Sequence, residues 1–279
     1  MTATTRLLPV ALGAALAAGA CTTTSVRRAA LVPHMQPTMR DGQPMNDAIG
    51  ELGVGVSTLV QTHSPSEGNS EAGVWIPRVQ SNGALRFQPI KDFDMGVIYE
   101  QGFKSGAKQI SPDIPEPNGD AYGLGLTMGY SIPTGEPGLR IGIALDMIRY
   151  SIPYVEYRTC VDFCGGVQWT EVDRANVGVG VLSLGFVPSY NQGPWTVFGS
   201  LTLRNHPTVQ RDGVEVGVVN DEDVESGPMN AVLAGGASYT LPARVKLSMI
   251  IYQSLSSDPV NYGPTMAASF TLPFGNRKF

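Results

Sequence analysis

Residues 120–150 read DAYGLGLTMGYSIPTGEPGLRIGIALDMIRY, two runs of strict alternation separated by a short turn. In the first run Tyr122, Leu124, Leu126, Met128 and Tyr130 share one face, and Gly123, Gly125, Thr127, Gly129 and Ser131 share the other. A period of two predicts a strand. After Pro133-Thr134-Gly135-Glu136-Pro137-Gly138, the second run sets Leu139, Ile141, Ile143, Leu145 and Met147 against Arg140, Gly142, Ala144 and Asp146. One face is continuous and apolar; the other is small or charged. A barrel in water turns such an apolar face inward, whereas a strand lying in lipid turns it outward and carries aromatic residues where hydrocarbon meets water. Tyr122 and Tyr130 stand at the two ends of the first run. The hairpin therefore reads as one unit of a membrane-spanning sheet.

The same alternation recurs along the chain. Leu52, Val54, Val56, Thr58 and Val60 oppose Gly53, Gly55 and Ser57, and Val79, Leu85 and Phe87 oppose Arg78, Gln80, Asn82, Arg86 and Gln88. Phe93, Met95, Val97 and Tyr99 oppose Asp94, Gly96 and Glu100. Beyond the hairpin, a sixth strand around Val177 to Val187 changes parity, since Val177, Val179 and Val181 alternate out of phase with Leu182, Leu184 and Phe186. A bulge near Val181 is expected there, because one inserted residue reverses the facing of all that follow. The seventh sets Trp195, Val197, Leu201 and Leu203 against Thr196, Ser200, Thr202 and Arg204, with Phe198 out of pattern. An eighth, small-residue-rich strand covers Met229 to Leu241. The ninth sets Val245, Leu247, Met249 and Ile251 against Arg244, Lys246 and Ser248, and the tenth sets Met266, Ala268, Phe270, Leu272 and Phe274 against Thr265, Ala267, Ser269 and Thr271.

The connections sort by length. Those after strands two, four, six and eight are short: Ile90-Lys91-Asp92, the turn ending in Gly138, Ser189 to Pro194, and Leu241-Pro242-Ala243. Those after strands one, three, five, seven and nine are mostly longer and polar: His63 to Gly73, Lys104 to Gly119, Ile152 to Thr170, Asn205 to Pro228 and Ser254 to Gly263. An all-β, antiparallel, up-and-down transmembrane barrel of about ten strands has short periplasmic turns, long external loops and both chain ends in the periplasm. A soluble sandwich has no reason to sort its loops in this way. Residues 49–279 are accordingly expected to form the barrel.

Composition agrees. The 33 Gly and 21 Pro with only 15% charged residues suit many strands joined by turns. A net charge of −5 provides no basic footprint for nucleic acid. No run reaches the roughly 18 apolar residues that a spanning helix needs.

At the amino terminus, Arg6 precedes an apolar run from Leu7 to Ala18 and then Gly19-Ala20-Cys21, the zones of an export signal. Residues 1–20 are expected to be removed. Ala18-Gly19-Ala20 satisfies an ordinary Ala-x-Ala cleavage site, while Leu16-Ala17-Ala18-Gly19-Ala20-Cys21 resembles a bacterial lipobox, which implies a lipid on Cys21. Cysteine arithmetic favours lipid: Cys160 and Cys164 can pair in an oxidising compartment and leave Cys21 odd. By the same resemblance, Thr22 in place of Asp after the cysteine implies passage to the outer membrane. Residues 21–48 carry no sustained period and are expected to form a lipid-anchored periplasmic tether.

From residue 49 on, the chain resembles bacterial outer-membrane β-barrels as an architecture, here with a lipoprotein-type signal. The strand ending at Phe274 resembles their closing strand, whose terminal aromatic is recognised by the barrel-insertion machinery; Phe279 follows Gly275-Asn276-Arg277-Lys278 and fits that role equally. The resemblance implies outer-membrane lipid and that machinery as partners, with a surface partner reached through the long loops. Tyr122, Tyr130, Trp195 and Phe274 are the expected aromatic girdle.

Candidate sites follow from the inward faces and the loops. Arg78, Arg86, Arg140, Arg204, Arg244 and Lys246, with Asp94, Glu100 and Asp146, are expected to line the lumen. Rings of Arg and Lys select anions in pores, but about ten strands leave little more room than side chains fill, so a narrow, ion-paired interior is the stronger expectation. Cys160 and Cys164 are expected to close a loop as a disulfide, with too few neighbouring ligands for zinc. Asp212, Glu215, Asp221, Glu222, Asp223 and Glu225 lack EF-hand spacing and read as a solvated acidic loop. His63 and His206 fall near outer strand ends, where ten-stranded omptin-family proteases place a His-Asp couple and paired acids, but that constellation is missing and surface histidines are the plainer reading. No GxSxG, HExxH or phosphate-loop motif occurs, and Gly178 and Gly180 beside strand valines imply no nucleotide. The expected function is non-enzymatic and without cofactor or metal: a structural, surface-interaction or narrow-pore role. The alternatives are a soluble lipoprotein barrel or sandwich binding an apolar ligand, which would invert the facing of Ile143, Leu247 and Arg86, and a rim-located hydrolase.

Overall fold

The computed structural model describes residues 22–45, 48–60, 73–105, 108–109, 117–161, 167–209, 224–255 and 264–276. Its strands are β1 (Thr22–Leu31), β2 (Gly50–Leu59), β3 (Gly73–Ile76), β4 (Val79–Ile90), β5 (Phe93–Gly102), β6 (Lys108–Gln109), β7 (Ala121–Pro133), β8 (Leu139–Val161), β9 (Val167–Gln192), β10 (Trp195–Val209), β11 (Val224–Thr240), β12 (Lys246–Ser254) and β13 (Thr265–Phe274). β2, β4, β5 and β7 to β13 pair antiparallel with their neighbours, and the β13–β2 ladder closes the circle. The wall is an up-and-down barrel of ten strands. β1, β3 and β6 lie outside it, stacked in the order β6-β3-β1 against the far end of β8.

The alternation predicted from sequence sets the facing. Leu124, Met249 and Val197 are at least 60% exposed on the outer wall, and Ile143 and Leu247 lie outside with them. Arg86 points inward and pairs with Glu51. That facing rules out the soluble alternative, in which these residues exchange places. The short turns stand together at one end of the barrel and the longer connections at the other.

Three expectations about the wall change. The ladder between β8 and β9 runs through Val181 without a register shift; its irregularity lies at Glu156/Tyr157. Val177, Val179, Val181 and Val187 all face inward, buried, while Leu182, Leu184 and Phe186 face outward. No bulge is needed, because the two apolar parities serve two surfaces, lipid outside and an apolar core inside. Phe198 joins that core and also points inward. The stretch Ile152 to Thr170, expected as a loop, is largely strand, since β8 and β9 run far past the rim as a paired hairpin. β1 takes the edge of β8 from Tyr154 to Val161, beyond the last β7 partner at Ser151.

The largest difference concerns the expected tether. Residues 32–45 lie inside the barrel, with Val32, His34, Met35, Gln36 and Thr38 all buried, and Ala30 and Leu31 at the end of β1 are buried at its mouth. A chain enclosed on every side by a wall that is apolar at one level and ionic at the next has no preferred face. Hence it shows no period. About fifteen extended residues reach roughly 50 Å, enough to cross a hydrocarbon layer of about 30 Å.

The backbone of this segment comes close to the wall at Gly42, which adopts φ +72°. A Cβ on Gly142 of β8 would come within 2.7 Å of Gly42 Cα, and one on Gly42 within 2.5 Å of Val187 O. Gly142→Val is therefore expected to lower stability by about 1–3 kcal/mol through overpacking. Gly235→Ala, where an added Cβ meets open space, serves as control in urea unfolding of the detergent-solubilised protein. Equal losses at both positions would contradict the close fit.

Candidate functional site

The lumen and the segment that fills it form the site. Contacts descend the barrel in step with the chain. At the long-connection end, His206 Nε2 donates to Pro33 O at 3.0 Å, and His34 Nε2 lies 2.9 Å from both Ser57 Oγ and Tyr252 Oη. Gln36 donates to Ser57 (3.1 Å) and accepts from Asn82 (3.0 Å), and Thr38 N donates to Thr202 Oγ1 (3.2 Å). Lower down, Arg40 donates to Asp94 (2.5 Å) and Thr127 (2.7 Å), and Asp41 takes Lys246 (2.7 Å) and Ser238 (3.1 Å). At the short-turn end, Gly42 O accepts from Ser131 (2.8 Å), and Gln43 donates to Ser189 (2.9 Å) and Gly138 O (3.3 Å).

Two layers result. Toward the long-connection end the interior is mostly apolar, with Ala30, Val32 and Met35 packed among Ile148, Ile152, Val177, Val179, Tyr154 and Tyr252. Beneath and beside it lies an ionic layer. Arg204 on β10 reaches across to Glu100 on β5 (2.9 Å), to Tyr150 Oη (2.5 Å) and to the carbonyl of Gln36 (3.4 Å). Glu100 also accepts from Tyr150 and from Gln80 (3.2 Å). Asp146 accepts from Thr127 at 2.5 Å, Arg86 pairs with Glu51 at 2.9 Å, and Arg140 pairs with Asp92 at 2.7 Å. Paired charges of this kind hold a closed interior together more naturally than they pass ions, because each fixed charge already has its counter-charge. The space left beside Thr38, Arg40, Asn82 and Asp146 is about 40 Å³, room for a water or two. A larger cavity of about 440 Å³ opens at the short-turn mouth, bordered by Gln43, Glu51, Arg244 and Lys246.

Of the nine charged residues assigned to the lumen, Arg86, Asp94, Glu100, Arg140, Asp146, Arg204 and Lys246 face the interior. Arg78 is exposed in the bend before β4. Arg244 stands in the turn after β11 with φ +62°, its side chain donating to Asn276 at 3.1 Å. A turn residue obeys turn geometry, and strand alternation does not reach it. Tyr122, Tyr130 and Trp195 are exposed on the outer wall; Phe274 is half-buried, edge-on to Phe87 at 5.7 Å. Trp195 packs on Tyr239 at 4.7 Å. His206 is buried in the lumen instead of lying at the surface. Beyond the rim, Arg174 donates twice to Glu171 and holds that carboxyl below its usual range. Cys160 is the penultimate residue of β8. Residues 1–20, Cys21, Cys164, His63, the acidic residues 212–223 and Phe279 lie outside the described residues, and the disulfide and lipid expectations with them. Among the described residues, no group of three His, Cys, Asp or Glu is arranged to hold a metal.

An apolar outer belt, an ionic interior and a closed antiparallel wall define a transmembrane β-barrel of ten strands. Its fold is similar to that of bacterial outer-membrane barrels. The outer membrane protease OmpT from Escherichia coli is 12% identical, over 91% of this chain and 98% of that one, with a TM-score of 0.39. The β domain of the Bordetella autotransporter BrkA is 12% identical over 82% and 100%, TM-score 0.42, and an outer membrane channel from Pseudomonas putida F1 is 11% identical over 86% and 100%, TM-score 0.42. No family model matches the chain, and no curated protein matches it in sequence.

Proposed function

We propose that the protein is an outer-membrane barrel closed by its own amino-terminal segment, a non-enzymatic anchor that presents an external β-sheet for contact with a surface partner. The observation that carries this reading is the course of residues 32–45 along the lumen, with Arg40 and Asp41 paired to the wall. A conducting pore needs an open path, and here the path is chain. The outward belt of Leu, Val, Met and aromatic residues supports the membrane placement.

Short turns mark the periplasmic end of such barrels and long connections the external end. On that rule β1, β3, β6 and the extended β8–β9 hairpin project outside. The carboxyl-terminal strand ends at the periplasmic side beside Gly50, but the chain before Leu31 emerges at the other. In this reading Thr22, the first residue of β1, stands on the external side.

An epitope inserted between Thr22 and Thr23 is expected to bind antibody on intact cells, while one inserted at Gly135-Glu136 is expected to require permeabilisation of the outer membrane. The reverse pattern would invert the orientation. In planar bilayers the full-length protein is expected to stay silent; steady stepwise current would end the closed-anchor reading.

A further inference from the structure

Arg149 stands apart from every other feature of the wall. It lies on the outer face of β8, exposed, between Leu124 of β7 and Gly180 of β9. Among the described residues it has no hydrogen-bonding or ionic partner. Its Nη2 is 3.0 Å from where a Cβ on Gly178 would sit, so the guanidinium lies over Gly178 of β9. Gly180, by contrast, has open space above it. Gly180 lies in the floor of a shallow, open groove of about 560 Å³ bordered by Leu124, Leu126, Met147 and Leu182, with Arg149 at its end toward the long connections. Asn205 forms one flank. Its side chain accepts from Leu182 N (2.5 Å) and donates to Gly180 O (3.3 Å), where the β9–β10 ladder stops. Two residue pairs further out, Ser151 faces Tyr122 of the girdle, which sets Arg149 near the boundary between hydrocarbon and headgroups.

We propose that this groove binds a phosphate-bearing lipid of the outer leaflet, with Arg149 on the phosphate and an acyl chain along Leu126, Met147 and Leu182. An arginine on the lipid face at bilayer mid-depth costs about 2–4 kcal/mol, falling to about 0–1 kcal/mol near the interface. A guanidinium at that level without an internal counter-charge is matched by the one anion abundant there, a lipid phosphate, whose geometry its planar fork fits. Glycine at 180 leaves the groove open, and glycine at 178 lets the guanidinium lie against β9. The leaflet, though not the site, rests on the orientation proposed above.

The test is native mass spectrometry of the full-length protein in detergent, titrated with a diphosphorylated glucosamine disaccharide lipid, with its dephosphorylated form and with inorganic phosphate. The wild type is expected to prefer the phosphorylated lipid over the dephosphorylated one by about tenfold or more, and Arg149→Gln is expected to abolish the preference. Gly180→Leu is expected to weaken both lipids by filling the groove. Unchanged heat-modifiable gel migration shows that the variants fold. Equal binding of the two lipids by the wild type, an unaltered preference in Arg149→Gln, or displacement of the lipid by inorganic phosphate would each overturn the proposal. The epitope experiment reads orientation separately, so lipid selection with reversed epitopes keeps the site and moves it to the other leaflet.

Discussion

A chain that keeps residues 1–21 but lacks residues 22–45 is expected to conduct in planar bilayers where the full-length chain is silent. The segment supplies the material that crosses the lumen, and its loss strips Arg40 from Asp94 and Asp41 from Lys246. Water then enters between charges that no longer have partners, because an unpaired buried ion draws hydration. Ten strands without the segment enclose a narrow tube, so the expected currents are small, discrete steps. A folded truncated barrel that remains silent would show that the wall seals itself. Should truncation prevent folding, reversing Arg40→Glu in the full chain places two acids together at Asp94, and flickering openings are the expected outcome. Silence there too would contradict the assigned role of the segment.

The second large effect is expected at Arg204. Arg204→Met leaves Glu100 buried, its side chain 2% exposed, with only Tyr150 and Gln80 to hold its charge. Removing one partner of a buried ion pair costs about 3–5 kcal/mol, read as the shift in urea midpoint multiplied by the slope of the transition. The double variant Arg204→Met with Glu100→Gln is expected to regain much of the loss, since no uncompensated ion then remains. A single-variant loss below about 1 kcal/mol, the range of exposed pairs, would mean that water reaches Glu100 and that the interior is not dry at that level.

The barrel itself is legible in the residue order because membrane strands carry two independent periodic signals, alternation along each strand and loop length between them. Leu124, Ile143 and Leu247 are outside for the reason their spacing predicts. The occupant of the lumen is not legible in the same way: His34, Gln36, Arg40 and Asp41 touch different strands at each step, so no interval repeats. An indirect sign was present. The inward set read from alternation has six cations and three acids, and a dry interior does not tolerate that imbalance. Two of those cations, Arg78 and Arg244, leave the interior for turns, and the rest of the charge set is completed by Arg40 and Asp41 on the threaded segment, Glu51 at the start of β2 and Asp92 in a turn. Val177, Val179 and Val181 carried a second sign, since a water-filled lumen has no use for three inward valines. They looked like a register fault because their partners, Val32 and Met35, come from the stretch with no period.

The two mouths of the barrel differ, and the difference gives the molecule a direction. One mouth is stoppered by Leu31, Val32 and Tyr154; the other opens on a cavity of about 440 Å³ beside Glu51 and Lys246. Hydration accordingly advances from a single side, and deuterium supplied to the solvent should overtake Gln43 long before it reaches His34. In the proposed orientation, whatever the cell's surroundings contain meets the dry stopper first.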